Sequence, residues 1–169
     1  NKKKLAETYN NIGAYYYNKS DYYSAFNYYQ KALVLNKELK LEDQIAIQYN
    51  NIAAIYKQKK EYKTALEYYK KSLDLYIKLN KRIDEAEIYF QVGITYEETQ
   101  DFQQALKNYF ASLEIYKQEK KEVEIAKVYN AIGLIYYQIN NNKEAYQYFN
   151  NALSIYKKIN AHKMIAVLY

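Results

Sequence analysis

The chain has 169 residues, half of them hydrophobic, with 25 basic against 19 acidic side chains and no cysteine. That length and apolar share exclude a disordered tail, the missing thiols exclude disulfides and thiolate metal sites, and no apolar run approaches the roughly 18 residues a membrane-spanning helix needs. A formal charge of +6 raises nucleic acid as a partner, but apart from Lys2 to Lys4 the lysines sit beside acids, as in Lys59-Lys60-Glu61 and Glu119-Lys120-Lys121-Glu122, and Arg82 is the one arginine, the residue best shaped for phosphate.

The N-terminus opens Asn1-Lys2-Lys3-Lys4 with no apolar stretch behind it, so no signal peptide is expected. A start without Met and an end inside a pattern read as a piece of a longer protein. Localisation is left open, with the cytoplasm favoured.

The first predicted element carries Tyr9, Ile12, Gly13 and Tyr16, at offsets 0, 3, 4 and 7. That spacing puts all four on one stripe of an α-helix and is incompatible with the two-residue period of a strand. The polar stretch Lys19-Ser20-Asp21 follows, where Ser20 or Asp21 can cap the next helix by accepting from its free N–H groups. A second stripe, Ala25, Tyr29, Ala32 and Leu33, has the same helical period. Gly13 is read as lying opposite Ala25, the two small residues setting a close approach between the helices. The apolar-polar run Leu35-Asn36-Lys37-Glu38-Leu39 then leads into the next unit.

Every one of these positions recurs at a spacing of 40, in the series Ala6, Ala46, Ala86, Ala126, Ala166 and Tyr9, Tyr49, Tyr89, Tyr129, Tyr169. Glycine or alanine recurs at Gly13, Ala53, Gly93 and Gly133, and an aromatic ring at Tyr29, Tyr69, Tyr109 and Phe149. The repeats run approximately over residues 3–42, 43–82, 83–122 and 123–162, with a truncated fifth first helix at 163–169. A single helix pair of this size cannot bury its stripe alone, so neighbouring pairs must stack. The expected fold is all-α, an α-solenoid of antiparallel helix pairs in one array. Carboxylates at Glu42-Asp43, Asp84-Glu85 and Glu122 fall at helix starts, where the macrodipole favours them.

The residues exclude the common catalytic constellations. His162 is the one histidine, so no Ser-His-Asp, Cys-His or multi-histidine metal site can be assembled from this chain. The three glycines are too dispersed for a phosphate-binding loop. Glu97-Glu98 is the densest carboxylate pair, and without a partner base it suits a solvated or lysine-binding role better than acid–base chemistry. No enzyme activity, metal or cofactor is expected.

Tyr9-x-x-Ile12-Gly13-x-x-Tyr16 followed by Ala25-x-x-x-Tyr29-x-x-Ala32 resembles the tetratricopeptide repeat signature over nearly the whole chain. Two departures stand out. The period of 40 exceeds the usual ~34, and the proline that normally ends the second helix is replaced by Lys37. The extra residues are expected to lengthen the second helix and the loop after it. The Tyr-Asn-Asn-Ile-Gly type of first helix is similar to a long-repeat subset that includes kinesin light chains, spindle-polarity adaptors and bacterial peptide-receptor and signalling arrays. The resemblance implies a right-handed superhelix whose first helices line a concave groove, and a non-catalytic scaffold for protein–protein interaction that holds an extended peptide or helix of a partner.

On that implied face stand Asn10, Asn11, Tyr17, Asn50, Asn51, Lys57, Phe90, Gln91, Ile94, Asn130, Leu134 and Tyr137, the candidate peptide-binding groove. An asparagine amide offers both a donor and an acceptor to a peptide backbone, and in the families named such asparagines do contact peptide; equally, asparagine decorates a wet helix face in a chain rich in it. Phe90, Ile94 and Leu134 read either as a pocket for an apolar anchor or as packing against the inner wall. Most repeated tyrosines read as core, with Tyr17 and Tyr137 facing the groove. The alternatives to a peptide scaffold are a sensory or regulatory module of a larger bacterial signalling protein and a basic nucleic-acid-binding solenoid. The apolar stripe Ile165, Ala166 and Tyr169 also allows end-to-end self-association through the truncated last helix.

Overall fold

The computed structural model describes residues 1–159; the expected fifth helix and His162 lie outside the described residues. Within them every element is a helix: α1 (Lys2–Asn18), α2 (Tyr22–Glu38), α3 (Glu42–Gln58), α4 (Tyr62–Lys78), α5 (Arg82–Glu98), α6 (Phe102–Gln118), α7 (Glu122–Gln138) and α8 (Asn142–Lys158). Each is 17 residues long. The surplus over the usual repeat lengthens the second helix, as expected from the sequence, but not the loop after it. It extends both helices of each pair, and all connectors are equally short.

The connectors explain this regularity. The middle residue of each is left-handed, at Ser20, Lys40, Lys60, Asn80, Gln100, Lys120 and Asn140, with φ between 53° and 61°. In the first, the N–H of Ser20 donates to the Tyr17 carbonyl at 2.9 Å and that of Asp21 to the Tyr16 carbonyl at 3.0 Å. This is the Schellman closure, which satisfies the last carbonyls of a helix. The other six connectors repeat it, for example Lys60 to Lys57 at 2.9 Å and Glu61 to Tyr56 at 2.9 Å. Of the two capping candidates, Ser20 forms this turn and Asp21 is the cap, its carboxylate accepting from the Ser24 N–H at 3.0 Å; Asp101 caps α6 in the same way at 3.1 Å.

The chain divides into two compact units, Asn1–Lys81 and Arg82–Tyr169. In the first, α1 pairs with α2, α3 pairs with α4, and α3 packs on α2; in the second, α5 to α8 repeat that order. Ala25, Tyr29, Leu33, Ile52 and Ile55 are buried together at the centre of the first. Tyr109, Leu113, Tyr116, Val128, Ile132 and Ile135 do the same in the second.

The glycine slot works differently from its expected role. A Cβ on Gly13 would lie 2.6 Å from the Tyr29 ring, on Gly93 2.5 Å from Tyr109, and on Gly133 2.7 Å from Phe149. The glycines admit a large ring from the second helix, and Ala25 is not what they face. The ends of three pairs are tied by an ion pair: Lys2 to Glu38 at 2.8 Å, Lys78 to Glu42 at 2.5 Å, and Lys158 to Glu122. In the remaining pair Arg82 donates to Gln118 at 3.1 Å.

Candidate peptide-binding face

The face carried by α1 and α3 is built on amides. Asn10 Oδ1 accepts from Gln48 Nε2 and from Asn51 Nδ2, both at 3.0 Å. Gln48 is fully buried, and its Oε1 meets no donor, so this polar group sits where α5 and α7 place Ile88 and Val128. Asn10 and Asn51 are thus bound to each other and are not independent rungs of a ladder. Asn11 is exposed and Asn50 half-buried. Two other expected groove residues turn inward. Tyr17 is half-buried with its ring 5.7 Å from that of Tyr22, and burial raises its phenol pKa. Lys57 is buried, at 9% exposure.

The corresponding face of α5 and α7 is apolar. Phe90, Val128 and Ala131 stand at the positions of Asn10, Gln48 and Asn51, and Phe90 rests on Tyr109 with ring centres 5.4 Å apart. Beside it Ile94, Ala131 and Leu134 line an open pocket of about 330 Å³, with Asn130, Lys127 and Glu97 at its polar margin. Leu134 is 41% and Tyr137 62% exposed. Phe90 therefore serves both readings: it packs on the wall and forms pocket surface. A second hollow of about 260 Å³ shares Phe90 and Lys127 with it and is lined further by Glu87, Gln91, Tyr116, Glu124 and Val128.

Two carboxylates on this face are held in place by neutral donors. The Tyr109 hydroxyl donates to Glu97 Oε2 at 2.7 Å and Gln138 Nε2 to Glu97 Oε1 at 3.3 Å. Gln91 Nε2 donates to Glu87 Oε1 at 2.8 Å, and the Tyr116 hydroxyl to Glu87 Oε2 at 3.1 Å. Burial, then the carboxylate each one meets, pushes both phenols far above the ordinary tyrosine range. Such donors keep the carboxylates in fixed positions while leaving their charge uncompensated. Among the described residues no group of His, Cys, Asp and Glu could hold a metal ion, and no helix is long and apolar enough to cross a membrane.

A tetratricopeptide repeat family model matches residues 4–78, 43–118 and 84–158, so its overlapping copies span all four helix pairs. The chain belongs to the tetratricopeptide repeat family. No curated protein matches this tetratricopeptide array in sequence. Among solved structures it is similar to BtubC from P. vanneervenii, at 22% identity and a TM-score of 0.84 over 95% of this chain and 66% of that one. It is also similar to the apo form of RapI, at 23% identity and 0.87 over 98% and 60%. A third is the Rap conjugation gene regulator of plasmid pLS20 in complex with the Phr* peptide, at 21% identity and 0.75 over 86% and 41%. The array thus spans 41 to 66% of these chains, and at such identities the likeness establishes the fold.

The tetratricopeptide signature located the first helices but not the groups that organise their face. Gln48 was readable, with Thr8, as a polar member of the series that Ile88 and Val128 continue. The Tyr109–Glu97 and Tyr116–Glu87 bonds had no signal in the repeat, because their partners come from different helices.

Proposed function

We propose that the array is a non-catalytic interaction module that holds an extended peptide or helix of a partner on the face of its first helices. The observation that carries this reading is the α5–α7 pocket. Exposed apolar surface at Leu134 joins Phe90, Ile94 and the Asn130 amide in its lining, the combination of an apolar anchor site with polar groups that side-chain recognition uses. The complex of a similarly folded Rap regulator with the Phr* peptide supports it. Of the expected groove residues, Asn130 belongs to this proposal as a backbone-binding group of the α5–α7 face, Asn11 and Asn50 as such groups of the α1–α3 face, and Gln91 as the amide that holds Glu87. Asn10 and Asn51 act through the amide cluster they share with Gln48.

The way individual lysines are engaged supports this reading over a nucleic-acid one. Lys2, Lys59, Lys78, Lys81 and Lys158 are in ion pairs, and Lys31, Lys37, Lys71 and Lys117 lie over tyrosine rings. A role as the sensory part of a larger signalling protein is a second reading, favoured by the longer chains of the Rap structures.

The test is selection of binders from a phage-displayed random peptide library on the wild-type array and on a Leu134→Asp/Asn130→Asp variant of unchanged helicity. Peptides retained by the wild type and lost by the variant are expected. Selection of the same peptides by both would move the site off this face.

A further inference from the structure

We infer that the α5–α7 pocket selects a ligand segment in which a cationic side chain lies next to a bulky apolar one, an inference that rests on the peptide-binding reading above. The apolar half follows from the pocket itself, where Phe90, Ile94 and Leu134 present hydrocarbon around a volume of about 330 Å³, room for one large side chain with water displaced.

The cationic half follows from charge. Glu97 stands on the rim of this pocket, and Glu87 and Glu124 line the adjoining hollow, whereas Lys127, shared by both, is their one cationic lining residue. The protein as a whole carries +6, so this acidic surface runs against the general charge. Glu97 and Glu87 are each fixed by a tyrosine hydroxyl and a side-chain amide, donors that position a carboxylate without neutralising it. A lysine or arginine arriving from outside would gain charge-assisted hydrogen bonds to a group already oriented for it. An acidic segment would be repelled, since Lys127 offsets only part of the negative charge.

The test uses the whole chain and an array of random-sequence nonapeptides. Bound sequences should be enriched in Lys or Arg within two positions of Leu, Ile, Met or Phe. Their affinity should fall at least tenfold for Glu97→Gln and steeply with added salt, while the apolar preference persists. Glu87→Gln, which leaves the Tyr109 bond to Glu97 intact, should reduce binding of the same peptides. Bound peptides without cationic enrichment, or binding insensitive to salt, would overturn this inference and leave the peptide-binding reading standing. An array on which no peptide is held would overturn both.

Discussion

At Gly93 the missing Cβ is what lets the Tyr109 ring reach the first helix, and the Tyr109 hydroxyl is anchored in turn on Glu97. A methyl group there would meet a ring held at both ends. Gly93→Ala is expected to destabilise the protein by about 1–3 kcal/mol, as overpacking does, even though alanine is the better helix former by about 1 kcal/mol. The second pair supplies the comparison: Ala53 stands at the same repeat position and is fully buried, so Ala53→Gly is expected to cost the propensity term of about 1 kcal/mol together with the loss of a buried methyl group. Urea denaturation measures both; a gain of about 1 kcal/mol for Gly93→Ala would mean that the ring yields without resistance. The same residue scale accounts for the contrast between the two faces, where Asn10, Gln48 and Asn51 on one correspond to Phe90, Val128 and Ala131 on the other.

The connector is the element on which the repeat depends. Seven left-handed residues close the helices, yet none is glycine, and a residue with a Cβ in that region carries a penalty of roughly 1–2 kcal/mol. Lys60→Gly and Lys120→Gly are therefore each expected to raise stability by roughly 1 kcal/mol, seen as a higher melting temperature with unchanged helicity. A fall would show that the lysine side chains contribute more than their backbone costs. These turns also show where sequence reading stops. The helical stripes and the 40-residue period were legible because side-chain spacing encodes them directly, whereas Lys40, Lys60 and Gln100 carry no turn signal of their own and adopt the left-handed conformation because the helices on both sides demand it. The same holds for the face. Its position was readable from the first-helix stripe, but the burial of Lys57 and the pairing of Asn10 with Asn51 depend on how α3 is rotated against its neighbours, which no single helix specifies.

Across both units tyrosines recur in the core of the described residues, and that sets an alkaline limit. Burial pushes the Tyr29 hydroxyl up to about 12, against an ordinary value of about 10, and it raises Tyr56, Tyr109, Tyr116, Tyr148 and Tyr156 in the same direction. A raised folded-state pKa means that folding holds the proton more tightly than the unfolded chain does. The stability this contributes is complete below pH about 10 and is lost as pH climbs through the folded value. Helix content followed by circular dichroism should stay level to about pH 10 and then collapse together with a late rise in phenolate absorbance. A phenolate signal that appears well before helix loss would show that these rings are open to solvent in the folded state.

The equal connectors have a further consequence, in how such a protein can be inherited and altered. Each helix has the same length and each connector closes in the same way, so within either unit successive periods offer the same helices and the same turn. A recombination event that adds or removes one full period keeps every first helix followed by a second helix along the chain, and so preserves the pairing on which each unit is built. An event that adds or removes half a period presents a second helix where a first helix must pack, and selection would remove it. The gene can therefore change its number of helix pairs in whole steps, without passing through a misfolded ancestor.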